Sequence, residues 1–336
     1  METSHAKRTI ILIVSLFVAL ILLAIAWEVK KYANSLPPPI PNYQVNRVTI
    51  TDQTDGAKIL PSELIPACQG QDCIASLDHP QFETATSVST WLNDDDRVFG
   101  LSYNGVVRAY PERIIAWHLV INDQIKNQPI IVTYSPLTGS ASAYKPLVNS
   151  INTQFGVSGL VRESGIILYD RLQGNLWEQL TGQAILGAAA QANETLTPLP
   201  VSLTTWKLWK EAHPDTEVLS KITGYKGSYA KTPYDTYLDT DKLLLQATST
   251  NKTLPNKTLV YGLELGGTSK AYPVTSLKTT AITDRIGSDT ITIQRQADGL
   301  VTAVNTKTNE PIRVTPVYWF AWSYFHPETT IYSTKR

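Results

Sequence analysis

Apolar and polar positions alternate along most of this chain in short runs, and Gly, Pro, Asn and Asp break the runs. "RVFGLSYNG" (97–105), "QPIIVTYS" (128–135), "SGIILYD" (164–170), "TLVYGLEL" (258–265) and "DTITIQRQ" (289–296) all show the pattern. A period of two, bounded by turn-forming residues, predicts strands joined by hairpin-type turns. Helical signals are few. "SLTTWKLWKEAHP" (202–214) and "TPVYWFAWSYFHP" (315–327) each offer a Ser or Thr cap and stop at a His-Pro pair. Proline disfavours helical geometry in the residue before it, which sets the stop. The expected body is α+β and mainly β.

One run departs from this texture. Thr9 to Trp27 holds 19 positions without a charge, directly after Lys7 and Arg8. That length reaches the lower range for a helix crossing a bilayer. A cleaved signal peptide is the rival, because Ala24-Ile25-Ala26 resembles a cleavage site. The run exceeds the usual signal core of about 7–15 residues, which favours an uncleaved single-pass anchor over residues 1–33. "NSLPPPIPNY" (34–43) then reads as a stiff proline-rich stalk over 34–44, with a domain from 45 to 336 behind it.

The two expected helices also repeat. Trp206, Trp209, His213, Pro214, Thr216 and Ser220 recur 113 residues later as Trp319, Trp322, His326, Pro327, Thr329 and Ser333. "VFGLSYNGVVRAYP" (98–111) recurs 162 residues later as "VYGLELGGTSKAYP" (260–273), and Asp123 then lines up with Asp284. Two related copies of a β-rich unit follow, over about 98–220 and 260–333. The offsets differ by 49 residues, so the first copy carries about that much extra chain, including much of "FGVSGLVRESGIILYDRLQGNLWEQLTG".

Composition sharpens the location. Lys and Arg number 29 and so do Asp and Glu, which gives no basic excess of the kind a nucleic-acid surface shows. Cys68 and Cys73, in "ACQGQDC", are the chain's two cysteines. Four intervening residues suit a small disulfide loop outside the cytoplasm; a metal pair is the alternative. With the anchor, the disulfide places the bulk of the chain on the extracytoplasmic side of the cell membrane.

"DCIASLDHPQF", "RAYPERIIAWHLVIND", "VTYSPLTGSASAY", the "FGVSG…LTG" stretch and "YWFAWSYFHPETTIY" together resemble the bacterial family called domain of unknown function 3179, over about 68–333. The resemblance implies secretion or membrane anchoring and no assigned activity. It also exposes a departure. The family reads Tyr-Cys-Pro-Leu followed by Cys or Thr, where this chain has Tyr134-Ser135-Pro136-Leu137-Thr138. If the family thiol is a nucleophile or a soft metal ligand, a serine gives that chemistry up.

The repeat supplies a way to rank site candidates. Residues found in both copies serve the fold; polar residues peculiar to the first are free to serve a site. His118, Asn122, Tyr134 and Ser135 face Thr279 or Thr280, Thr283, Arg295 and Gln296. Asp170, Arg171, Trp177 and Gln179 lie in or beside the extra chain. With Thr138 these make the candidate pocket, expected where His118, Ser135 and the "YDR" segment meet. Ser135 with His118 and Asp123 or Asp170 has the residue types of a hydrolase triad. Ser-Pro and Thr-Gly are equally good turn chemistry, and no Gly-x-Ser-x-Gly elbow is present. A planar Arg171 beside Trp177 and Gln179 suits a carboxylate or a sugar, and an Asp170–Arg171 pair closing a hairpin fits as well. The five histidines show no metal-ligand spacing, so no metal site is expected, and the sequence names no cofactor. The leading reading is a membrane-anchored ligand-binding or envelope assembly module with a small-molecule or envelope ligand. The alternative is an envelope hydrolase or transferase using His118 with a carboxylate.

Overall fold

The computed structural model describes residues 57–245 and 251–333. The expected anchor and stalk lie outside them, and no helix among the described residues is long and apolar enough to cross a membrane. Residues 224–228 group apart from the body.

The body is β-rich with short helices, as the alternation predicts. Strands are numbered in chain order. One sheet is built on the hairpin of β4 (Arg97–Tyr103) and β5 (Val106–Pro111). β16 (Ser202–Thr205) flanks β4; β17 (Glu217–Leu219) and then β3 (Phe82–Thr84) extend beyond β5. A second sheet carries β6 (Val120–Ile125), β7 (Gln128–Ser135) and β8 (Ser140–Lys145), with β2 (Leu77–Asp78) and β15 (Thr197–Leu199) at its edges. After the short β9 (Leu147–Val148) and β10 (Ile151–Asn152), the extra chain forms a third sheet. It runs β1 (Ile65–Pro66), β11 (Phe155–Arg162), β12 (Gly165–Asp170), β13 (Leu176–Glu178), β14 (Ala184–Leu186). Trp177, Phe155 and Leu168 of this sheet pack on Ile131, Tyr144 and Val148 in one core cluster.

In the second half, β24 (Val314–Tyr318), β18 (Leu259–Leu265), β19 (Thr268–Pro273) and β25 (Thr330–Ile331) lie side by side in that order. β20 (Ile282–Ile286), β21 (Asp289–Arg295), β22 (Val301–Asn305) and β23 (Pro311–Ile312) form the last sheet. β24-β18-β19-β25 matches β16-β4-β5-β17 in order and in register. β17 pairs parallel to β5 with Val218 on Ala109, and β25 pairs parallel to β19 with Ile331 on Ala271.

The helices are Trp206–Ala212 and Trp319–Phe325, where the sequence places them. Their starts differ. Thr205 Oγ1 accepts from Leu208 N at 3.5 Å, whereas Tyr318 precedes the second helix and supplies no side-chain cap, contrary to the expected Ser or Thr. That helix is instead held by burial, with Trp319 through Ser323 all inside.

Glycine explains how closely the helices seat. A Cβ on Gly100 would lie 2.2 Å from the Trp209 ring, and one on Gly262 2.3 Å from Trp322. Only a hydrogen fits there. Each tryptophan then donates its Nε1–H to a threonine, Trp209 to Thr216 at 3.0 Å and Trp322 to Thr329 at 2.9 Å.

Candidate functional site

The sequence-chosen residues fall into separate networks. Ser135 ends β7, Ser140 starts β8, and residues 136–139 form the turn between them. Gly139 takes φ +61°, and a Cβ there would meet the Tyr318 ring at 2.6 Å. Tyr318 N donates to Thr138 O at 2.7 Å and the Tyr237 hydroxyl to Leu137 O at 2.6 Å, so the turn is docked against its surroundings. Ser135 is fully buried. Thr138 Oγ1 lies 2.8 Å from Ser135 Oγ and 2.9 Å from Ser140 Oγ; Ser140 donates to Gln179 Oε1, and Gln179 Nε2 donates to Thr133 Oγ1. These five are hydroxyls and an amide. No imidazole or carboxylate among them could take the Ser135 proton, so the serine has no base in this chain of bonds.

His118 is buried elsewhere. Its Nδ1 sits 2.9 Å from Ala75 O, and a carbonyl can only accept, so Nδ1 carries the proton. Nε2 then accepts from the Tyr229 hydroxyl at 2.7 Å. Burial pushes the imidazole pKa down, against the opposing pull of the Ala75 bond. Both ring nitrogens are used and the neutral form is favoured, which is how a satisfied core histidine looks. Asp123 and Asp170 are equally occupied. Asp123 accepts from Arg108 Nη1 at 2.8 Å, from the Tyr110 hydroxyl at 2.6 Å and from Gln124 N. Fully buried Asp170 accepts from Gln173 N, Asn175 Nδ2 and Trp177 Nε1, which closes the β12–β13 turn and fixes the indole. Tyr134 donates to Glu112, which also pairs with Arg97 at 3.2 Å.

Asn122 and Arg171 do share a network, at the seam between the second and third sheets. Asn122 uses its amide as a strand would use its backbone: Nδ2 donates to Phe155 O and Oδ1 accepts from Phe155 N. The same Nδ2 donates to Asp78 Oδ1 at 2.6 Å, and Asp78 Oδ2 takes Arg171 Nη1 at 2.6 Å. Arg171 also donates to Gln154 Oε1 and Ser76 Oγ, and the Asp78 carboxylate beside it supports its charge against burial. The residues from β1 to β2 strap this seam. β1 pairs with β11, Ala67 N donates to Gly159 O, Asp72 N to Val157 O, and β2 pairs with β6. Cys68 and Cys73 stand at disulfide distance inside the strap, with Cα atoms 6.1 Å apart. Gly159 is needed beneath it, because a Cβ there would lie 2.4 Å from Gly70 O.

Outside the strap the seam opens into a cavity of about 350 Å³ lined by His79, Phe82, Arg108, Asn122, Asp123 and Gln154, among others. His79 is exposed and takes φ +53°, a left-handed backbone that costs a non-glycine residue of order 1 kcal/mol and that clusters at functional sites. Its ring makes no hydrogen bond among the described residues. Gln154 spends Oε1 on Arg171, which leaves Nε2 a spare donor among the described residues. Arg108 lies 3.9 Å over the Phe82 ring and uses Nε and Nη1 on Glu217, Asp123 and Gln124 O, leaving Nη2 over. Sequence reasoning missed these three. No local pattern marks His79 or Gln154, and Arg108 has a basic counterpart, Lys270, at its place in the second half. Among the described residues no group of three or more His, Cys, Asp or Glu is placed to hold a metal ion.

Residues 71–315 match the family described as protein of unknown function (DUF3179). No curated protein and no solved structure matches the chain.

Proposed function

The chain belongs to the DUF3179 family, whose description assigns no activity; from that premise we propose that it is a membrane-anchored, extracytoplasmic ligand-binding module whose seam cavity takes a small neutral polyhydroxyl solute, a sugar. The apolar run 9–27 and the cysteine pair support the location. The observation that carries the ligand reading is the set of spare groups around one cavity: Arg108 Nη2, Gln154 Nε2 and the His79 imidazole. Spare donors call for acceptors, and hydroxyls supply them. An anion is disfavoured, because Asp123 and Glu217 already balance Arg108. The volume lies at the small end of ligand sites.

In this reading the two halves are copies of one unit, and the extra sheet with its strap converts one copy into a binder. The common strand order, the paired registers and the recurring Trp–Gly and Trp–Thr contacts support the duplication. A hydrolase or transferase that uses His118 as base gains no support from a ring with both nitrogens engaged.

Saturation-transfer NMR on the full chain in a non-glycosidic detergent, against neutral mono- and disaccharides, tests the proposal. At least one sugar should give a signal that falls about tenfold in Gln154→Leu and in His79→Ala and persists in Lys270→Met. Equal signals in all four proteins, or none from any sugar, would sink it.

A further inference from the structure

A second cavity, of about 460 Å³, lies away from the seam, between the two halves. One wall is β8 with residues 198–201; the other is β22, β23 and β24. Ala141, Ala143, Leu199, Val301, Ala303 and Val314 give it an apolar lining. Arg313 is the single charged residue on that lining.

Arg313 is held in an unusual way. Nη1 donates to Thr181 O at 2.6 Å, and Nη2 donates to Leu180 O at 2.7 Å and to the Tyr144 hydroxyl at 2.9 Å. All three acceptors are neutral, and no carboxylate among the described residues pairs with it. The bonds hold the guanidinium in place at an exposed position, and among the described residues neither a carboxylate nor a partner for Nε stands beside it. The other arginines that line these cavities among the described residues, Arg108 and Arg162, are each matched by two carboxylates. Arg313 and Thr315 also line a further cavity of about 640 Å³, which holds polar and charged groups including Lys58, Glu178 and Glu264. The cation thus stands at the boundary between an oily space and a wet one.

We propose that the cleft between the halves binds a single-chain fatty carboxylate, with its acyl tail among the apolar walls and its head group on Arg313. Apolar burial at about 0.8 kcal/mol per methylene drives the tail in. A fixed cation that lacks a counter-ion selects the head. The head is a monoanion. A carboxylate head carries one charge, which the one guanidinium on the lining can balance. The site shares none of the seam-cavity residues, so it stands or falls independently of the sugar proposal.

The test is photo-crosslinking of the purified full chain in nanodiscs with a diazirine-bearing C12 carboxylate and, in parallel, its methyl ester, mapped by peptide mass spectrometry. Label should concentrate in residues 198–201, 300–304 and 312–316. Arg313→Gln should cut carboxylate labelling about tenfold and leave ester labelling unchanged, and Arg313→Lys should restore most of it. Leu199→Trp, a substitution on the wall opposite Arg313, should abolish labelling by both probes. A thermal melt of each variant confirms folding. Label spread over the surface, an equal loss of acid and ester in Arg313→Gln, or retention of label in folded Leu199→Trp would each overturn the proposal. Preferential capture of an apolar peptide over the C12 acid, in competition for the same label, would overturn it too.

Discussion

Two tyrosine–aspartate pairs occupy matching places in the two halves, and they are not built alike. Tyr110 donates to Asp123 and Tyr272 to Asp284, at 2.6 and 2.7 Å, and each aspartate also meets a cation from the tyrosine's strand. In the first half the cation is Arg108, whose fork reaches Asp123, Glu217 and Gln124 O together, and the Asp123 side chain is 4% exposed. In the second it is Lys270, a point charge that reaches Asp284 and Arg285 O, with both side chains 17% exposed. The halves also differ in the chain they insert. Between β8 and β16 the first half runs through β11 to β14 of the third sheet, whereas residues 306–313 suffice to pass from β22 to β24. The shared contacts make the frame. Phe82 of β3 packs on both Arg108 and Tyr110 of the first pair, and the seam of the added sheet and strap leaves a cavity beside it.

The largest effect expected from this comparison is at the aspartates. Asp123→Ala leaves Arg108 and Tyr110 without their partner in a buried setting and should cost about 3–4 kcal/mol, against about 1 kcal/mol for the more exposed Asp284→Ala. Urea unfolding of the two variants checks it; equal losses would erase the distinction between the halves. Next come the glycines, where the halves should agree. Gly100→Ala and Gly262→Ala each drive a methyl into a tryptophan ring and should each cost about 2 kcal/mol in the same assay. A silent Gly262→Ala would show that the second Trp–Gly contact is not structural in the way the first is.

A smaller effect is tied to pH. The folded protein holds His118 with a pKa below its usual 6.5, so the unfolded chain binds more protons on the acid side. Stability should be intact above about pH 6.5 and decline as pH falls below it, by at most about 1.4 kcal/mol per unit for this group. His326 is shifted in the same direction by burial and adds to the slope. His118→Asn should flatten the decline in part, as read from melting temperature between pH 7 and 5. The smallest is the helix cap. Thr205→Ala should cost about 1 kcal/mol, a loss with no counterpart at Tyr318, where no side chain caps the helix.

Local signals carried most of the architecture. Alternation with turn residues located the strands, and the His-Pro stops located both tryptophan helices, because these are properties of short segments. The spacing of Cys68 and Cys73 likewise identified a loop that closes on itself. The site was less legible. The repeat separated His118, Ser135, Asp170 and Gln179 from residues common to both halves, but peculiarity to one copy does not distinguish a site from the core of an added sheet. Asp170 and Trp177 belong to that second class: they hold each other inside the insert. Asn122 lines the seam cavity while its amide bridges two sheets, a duty that only the tertiary pairing reveals. His79, Gln154 and Arg313 acquire their interest from tertiary neighbours far away in sequence, or from a backbone angle, and no local pattern announces either.

Hydrogen exchange of the full chain, with and without the tightest-binding neutral sugar, tests the central claim most directly. Slowed exchange confined to residues 76–82, 122–124 and 152–154, with residues 268–270 and 284–286 unchanged, is the result predicted for a cavity that only the first half possesses. Protection of the second half, or of both hairpins alike, would contradict it.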